Sequence, residues 1–158
     1  FNFLISYQHG GDIFSNTIGG LLARGITNDT DDRLNTFILP GVKEDGTPND
    51  VQLNASAYYF DNIGFGPTEL RIYDGSVIRL NEVSLGYDFP KKYLEKTPFG
   101  SVTFTLAGYN LYYDAINTPD GINFDPNVIG VGVGNGRGLD FLNGPSGKRY
   151  GFTVKASF

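Results

Sequence analysis

The chain has no cysteine, no methionine, no tryptophan and a single histidine, His9. Without cysteine there is no disulfide framework and no thiolate metal site, a composition suited to a reducing cytosol or to a bacterial envelope protein that does without disulfides. No stretch approaches the roughly 18 to 20 uninterrupted apolar residues of a membrane helix, which excludes helical membrane proteins. Strands are not excluded, because a membrane strand needs only about 9 to 11 alternating residues. Positive charge is also scarce: 12 Lys and Arg against 17 Asp and Glu give a net charge of -5, which argues against nucleic acid as a partner. What the 158 residues do hold is 22 Gly, 10 Tyr and 13 Phe, a composition of strands and turns that points to an all-β class.

The clearest pattern is in the last ten residues, RYGFTVKASF. Tyr150, Phe152, Val154, Ala156 and Phe158 share one parity, and Arg149, Gly151, Thr153, Lys155 and Ser157 the other, so a strand here has one apolar and one polar face. A strand ending on an aromatic residue with its apolar face toward lipid is the habit of outer-membrane barrels. The same alternation occurs at residues 1–8, with Phe1, Phe3, Ile5 and Tyr7 opposite Asn2, Ser6 and Gln8, and Leu4 as the exception. It recurs near 77–89, where Val83, Leu85, Tyr87 and Phe89 oppose Glu82, Ser84, Gly86 and Asp88 until Pro90 removes a donor. In residues 101–113, Val102, Phe104 and Leu106 oppose Ser101, Thr103 and Thr105. Ile78 and Leu80 fall out of phase with Val83, which predicts a bulge near Asn81.

Four strands near 1–8, 77–89, 101–113 and 149–158 leave connectors that run long, short, long. Barrels of the outer membrane have short periplasmic turns and long external loops. On that rule residues 9–76 and 114–148 are external loops, and the carboxyl terminus lies at the periplasmic side. Ten residues rising about 3.3 Å each at a tilt near 45° span roughly 23 Å, the height of such a barrel's apolar band. Even the smallest barrels need about eight strands, so further strands are expected upstream, and the lack of a start Met or secretory signal suits the tail of a longer chain.

RLNEVSLGYDFP (Arg79 to Pro90), GYNL (Gly108 to Leu111), Asp125-Pro126 and the terminal YGFTVKASF together resemble the carboxyl-terminal end of the SusC/RagA class of TonB-dependent outer-membrane transporters. FLISYQHGGDIFSNT (Phe3 to Thr17) is similar to the family's strand and Gly-Gly-Asp loop entry, while Asn127 departs from the acidic residue usual after Asp-Pro. The resemblance implies a barrel of about 22 strands with a plugged lumen in a Gram-negative outer membrane. It further implies uptake of glycan or peptide oligomers energised through TonB, with a SusD-like surface lipoprotein as lid. The terminal strand, with Tyr150, Phe152, Val154, Ala156 and Phe158, is expected to be the assembly strand that meets the barrel assembly machinery during insertion and then pairs with the barrel's first strand. The plug would lie upstream of Phe1. Two other readings stay open: a barrel of this family serving as a structural subunit of an envelope complex, and a soluble carbohydrate-binding β-sandwich.

No enzyme, cofactor or metal reading emerges from the residues. His9 reads as a solvated turn residue, since no Cys or second His accompanies it. Asp29, Asp31 and Asp32 lack the further carboxylates and glycine of a calcium loop. Gly130 to Gly138, GVGVGNGRG, imitates a phosphate loop without the helix that a dinucleotide fingerprint requires, and reads as a loop tip. Lipid-facing side chains are expected at Val83, Leu85, Tyr87, Phe89, Val102, Phe104 and Leu106. Tyr109, Tyr112 and Tyr113 are expected in an interfacial girdle. Tyr58, Tyr59, Arg137 and Asp140 are candidate ligand or lid contacts, with stacking on sugar rings open to the tyrosines.

Overall fold

The computed structural model describes residues 1–119, 121–127, 136 and 138–158. Strand dominates, in antiparallel sheets with few helices. In chain order the elements are β1 (Asn2–Gln8), β2 (Asp12–Ser15), α1 (Asn16–Ala23), β3 (Thr36–Phe37), β4 (Leu53–Asn54), β5 (Ile72–Asp74), β6 (Val77–Asp88), β7 (Ser101–Ala115), β8 (Leu139–Asp140) and β9 (Arg149–Ser157). The chain divides into two compact units. The first holds Phe1–Gln8, Val77–Asp114 and Ser146–Phe158; the second holds His9–Ser76 and Ala115–Pro145.

The first unit is a four-stranded sheet in the order β1-β6-β7-β9. β1 pairs antiparallel with β6, and β7 antiparallel with β9. Between β6 and β7 the Phe89 N–H donates to the Val102 carbonyl at 2.9 Å, and Asp88 meets Thr103 while Arg79 meets Asn110, contacts that run in opposite chain directions. The β1–β6 register passes from Leu4↔Glu82 to Ile5↔Leu80 and skips Asn81. That bulge corrects the phase: directly paired residues share a face, so Ile78, Leu80 and Val83 lie on one side with Tyr7, Ile5 and Phe3. On β7 and β9 the same rule groups Val102 with Ala156, Phe104 with Val154 and Leu106 with Phe152.

The second unit occupies the two stretches that alternation alone reads as loops. They are folded: β5-β2-β8 form a small sheet, antiparallel at β2/β5 and parallel at β2/β8, and β3 pairs with β4. The core gathers Ile13, Ile18, Leu22, Ile122 and Phe124, with Tyr59, Ile63 and Tyr73 packed against it. α1 starts because Ser15 is an N-cap whose hydroxyl accepts the Ile18 N–H at 3.1 Å. It stops in a Schellman turn: Gly25, at φ +64°, donates to the Leu22 carbonyl and Ile26 to that of Leu21. A π-helical segment, Ala57–Gly64, packs against α1 at Gly64, where an added Cβ would lie 2.5 Å from the Ala23 Cβ.

Candidate functional site

In the first unit the candidate surface is the apolar side of the sheet. Its rings form a continuous ladder across three strands. Tyr87 meets Phe89 edge-on at 5.5 Å, Phe89 meets Phe104 at 5.2 Å, and Phe104 stacks on Phe152 at 5.8 Å. Such pairs contribute about 0.5–1.5 kcal/mol beyond their burial, yet they leave the outer surfaces of the rings uncovered. Leu85 is 55% exposed, Phe152 63% and Val154 50%; Phe158, whose ring touches Phe99 at 5.2 Å, is 90% exposed. All nine residues of β9 and all seven of β1 are exposed. Every lipid-facing candidate named from the sequence is therefore on this one face, half-buried at Val83, Val102 and Phe104 and exposed at Leu85, Tyr87, Phe89 and Leu106.

The opposite face is polar and internally bonded. Thr103 donates to Asp88 at 2.6 Å, Ser101 and Ser157 hydroxyls meet at 2.7 Å, and Asn81 donates to Ser6 at 2.8 Å. Buried Arg79 donates to Asn110 Oδ1 at 2.7 Å, and the Asn110 amide reaches the Gly147 carbonyl. Asn110 itself has φ +53°, a left-handed kink that asparagine tolerates and that aims its side chain at Arg79. Tyr109 belongs to this face: it is in register with Arg149, whose guanidinium lies 5.7 Å from its ring. A girdle role for Tyr109 is thus corrected, because parity puts it opposite Phe104. Tyr113 carries the Arg79 guanidinium at 5.5 Å, and Tyr112 is exposed.

In the second unit the loop candidates separate. Arg137 lies outside the described residues, as does most of Gly130 to Gly138. Asp140 is 3% exposed, which corrects its reading as a ligand or lid contact. Its carboxylate accepts the Ser15 hydroxyl at 2.7 Å and the Thr17 N–H at 2.9 Å on one oxygen, and the Asn143 N–H and amide on the other. Burial raises the Asp140 pKa, but Thr17, Ser15 and Asn143 outweigh it and hold the carboxyl below the usual range. The charge also faces the positive end of α1. Asp140 fastens β8 to the helix start, a structural task.

Tyr58 and Tyr59 are half-buried beside Phe37. Tyr58 stacks on that ring at 4.8 Å, Tyr59 meets both edge-on, and the Tyr59 hydroxyl donates to the Asp29 carbonyl at 2.7 Å. Burial first, then the neighbouring Tyr58 and the negative Asp29 and Asp32, push the Tyr59 phenol up. Tyr59 and Phe60 also line a cleft of about 310 Å³ with Leu22, Ala55, Arg24 and Arg33. The two arginines were not singled out by sequence pattern: they stand in GLLARGI and DDRLN, runs with no recognisable motif.

His9 sits with Nδ1 3.5 Å from the Ser76 hydroxyl, which donates to Asp74 at 2.6 Å. Ser76 is 1% exposed, so this trio is a turn and offers no accessible nucleophile. Asp29 accepts the Gly121 N–H at 3.0 Å, and among the described residues no group of three or more His, Cys, Asp or Glu side chains converges on a point.

Compared with models of known protein families the chain matches none, and no match is found among curated proteins. Among the described residues no helix is long and apolar enough to cross a membrane, a statement that leaves a strand-built crossing untouched.

Proposed function

We propose that the chain is a wall segment, with its extramembrane module, of a SusC/RagA-like transporter in a bacterial outer membrane. The observation that carries this reading is the sheet β1-β6-β7-β9, with a continuous aromatic and aliphatic face exposed and a hydroxyl- and charge-bearing face behind it. A sheet in water hides such a face; in hydrocarbon the face is satisfied as it stands, at roughly 1.5–3 kcal/mol for each large side chain removed from water. Strand lengths agree: nine residues in β9 suit a tilted crossing.

In this reading β1 and β9 offer their open edges to further strands of a barrel of about 22, which removes both edges. The polar face lines the lumen, and the second unit stands outside the bilayer where glycan or peptide oligomers and a SusD-like lipoprotein would be met. TonB would act through the plug, outside this chain. The chain contributes wall and recognition surface, and no catalysis.

Cell fractionation of the full-length protein tests this. Resistance to salt and alkaline extraction of outer membranes, with release by detergent, is expected. Release by alkali alone would favour the soluble carbohydrate-binding sandwich and overturn the membrane assignment.

A further inference from the structure

The cleft of the second unit has a charge arrangement that the transport reading does not use. Arg24 and Arg33 both line it, at the carboxyl-terminal end of α1. Arg24 spends one donor on the Gly20 carbonyl at 3.2 Å, and Arg33 one on the Gly25 carbonyl at 2.8 Å. A guanidinium has five N–H donors, so most of each fork is left over. Neither arginine forms an ion pair among the described residues. Asp29, whose backbone carbonyl accepts the Tyr59 hydroxyl, turns its carboxylate to the Gly121 N–H. Asp29 and Asp32 are near enough for their charge to act on the Tyr59 phenol, but neither is ion-paired with Arg24 or Arg33 among the described residues, and two guanidiniums face one recess in a chain of net charge -5.

The remaining lining is apolar and aromatic. Leu22 and Ala55 make an apolar wall and Tyr59 and Phe60 supply rings; the volume of about 310 Å³ is at the small end of ligand pockets, room for a single ring or residue. Planar guanidiniums match carboxylates in bidentate geometry, and rings beside them hold a compact body by its face. We propose that this cleft binds the carboxylate of a ring- or residue-sized ligand, with Arg24 and Arg33 as the anion clamp and Tyr59 and Phe60 as the wall. A uronic acid residue and a peptide's terminal carboxylate present the same group. The plainer alternative is that both arginines only cap the helix end, where cations are favoured by the dipole.

The inference concerns the second unit alone and does not rest on the membrane reading. Calorimetric titration of the full chain in detergent, with four probes, separates the possibilities: methyl glucuronide against methyl glucoside, and N-acetylphenylalanine against its amide. The expected result is that one acid binds, and that its neutral counterpart binds at least about tenfold more weakly. Arg24→Gln or Arg33→Gln should weaken the acid by a similar factor, while Arg33→Lys retains part of it. Binding to the unaltered chain should also fall as salt rises, a readout that needs no variant to fold. Which acid binds assigns the saccharide or the peptide source. Failure of both acids to bind, equal binding of acid and neutral probe, or insensitivity to salt and to both Gln variants would overturn the clamp and leave the arginines as helix caps.

Discussion

Phe104 on β7 and Phe152 on β9 stack diagonally on the apolar face, ring centroids 5.8 Å apart and planes 15° from parallel. The pair sits one step off the direct register, which sets Phe104 against Val154 and Leu106 against Phe152. A ring stack that leaves Phe152 63% exposed orders the surface without covering it. That is the behaviour expected of a face that meets hydrocarbon, and it makes the two sides of β9 unequal in their tolerance of charge.

Val154→Arg should therefore cost about 2–4 kcal/mol of folding free energy in a bilayer if the site is near the midplane. Lys155→Arg, on the polar side opposite Thr103, should be close to silent. Refolding yields into lipid vesicles across a urea series measure both, and equal tolerance would count against the assigned faces.

Asp140→Asn should destabilise the second unit by about 1–3 kcal/mol, since the amide cannot accept from Ser15, Thr17 and Asn143 together. The folded carboxyl titrates below its ordinary value, so its contribution is fully present above the unfolded pKa near 4 and is lost as pH falls through the lower folded value. Denaturant unfolding between neutral pH and pH 3 should show this acid loss in the native chain and a smaller one in Asp140→Asn.

Burial pushes the Tyr73 phenol up to about 12, with the nearby Arg71 opposing. A raised phenol keeps its stabilising effect below the unfolded pKa near 10 and loses it as pH climbs through the folded value. Ultraviolet titration should show a tyrosine class ionising near 12, and Tyr73→Phe should remove it and flatten the alkaline stability loss.

Gly64→Ala should destabilise by about 1–3 kcal/mol through overpacking, because its new methyl would stand 2.5 Å from the Ala23 Cβ. Gly147→Ala, with open space at the added Cβ, serves as the neutral control. Thermal unfolding of the two variants side by side makes the comparison.

The long strands were legible because period-two alternation is local: nine residues of β9 state both faces unaided, and even the Asn81 bulge showed as a phase slip between Leu80 and Val83. The second unit was not legible as a folded body. Its strands are two to four residues long, too short for a period, and α1 carries Gly19 and Gly20, which weaken a helical pattern. Its ordering contacts are remote: Asp140 caps a helix 125 residues away at Ser15, and Gly121 closes on Asp29 from 92 residues away. The arginine cleft arises only once α1 and the π-helical segment are packed, so no linear motif marks it.

The chain has no native cysteine, so single cysteines can carry a spin label in β9 at Thr153, Val154, Lys155 and Ala156 of the full-length protein in bilayers. Collision with lipid-soluble oxygen and with a water-soluble nickel complex, measured by electron paramagnetic resonance, reads the surroundings of each face directly. Alternation is expected: oxygen dominates at Val154→Cys and Ala156→Cys, nickel at Thr153→Cys and Lys155→Cys. Water access at all four positions, or oxygen access without alternation, would contradict it.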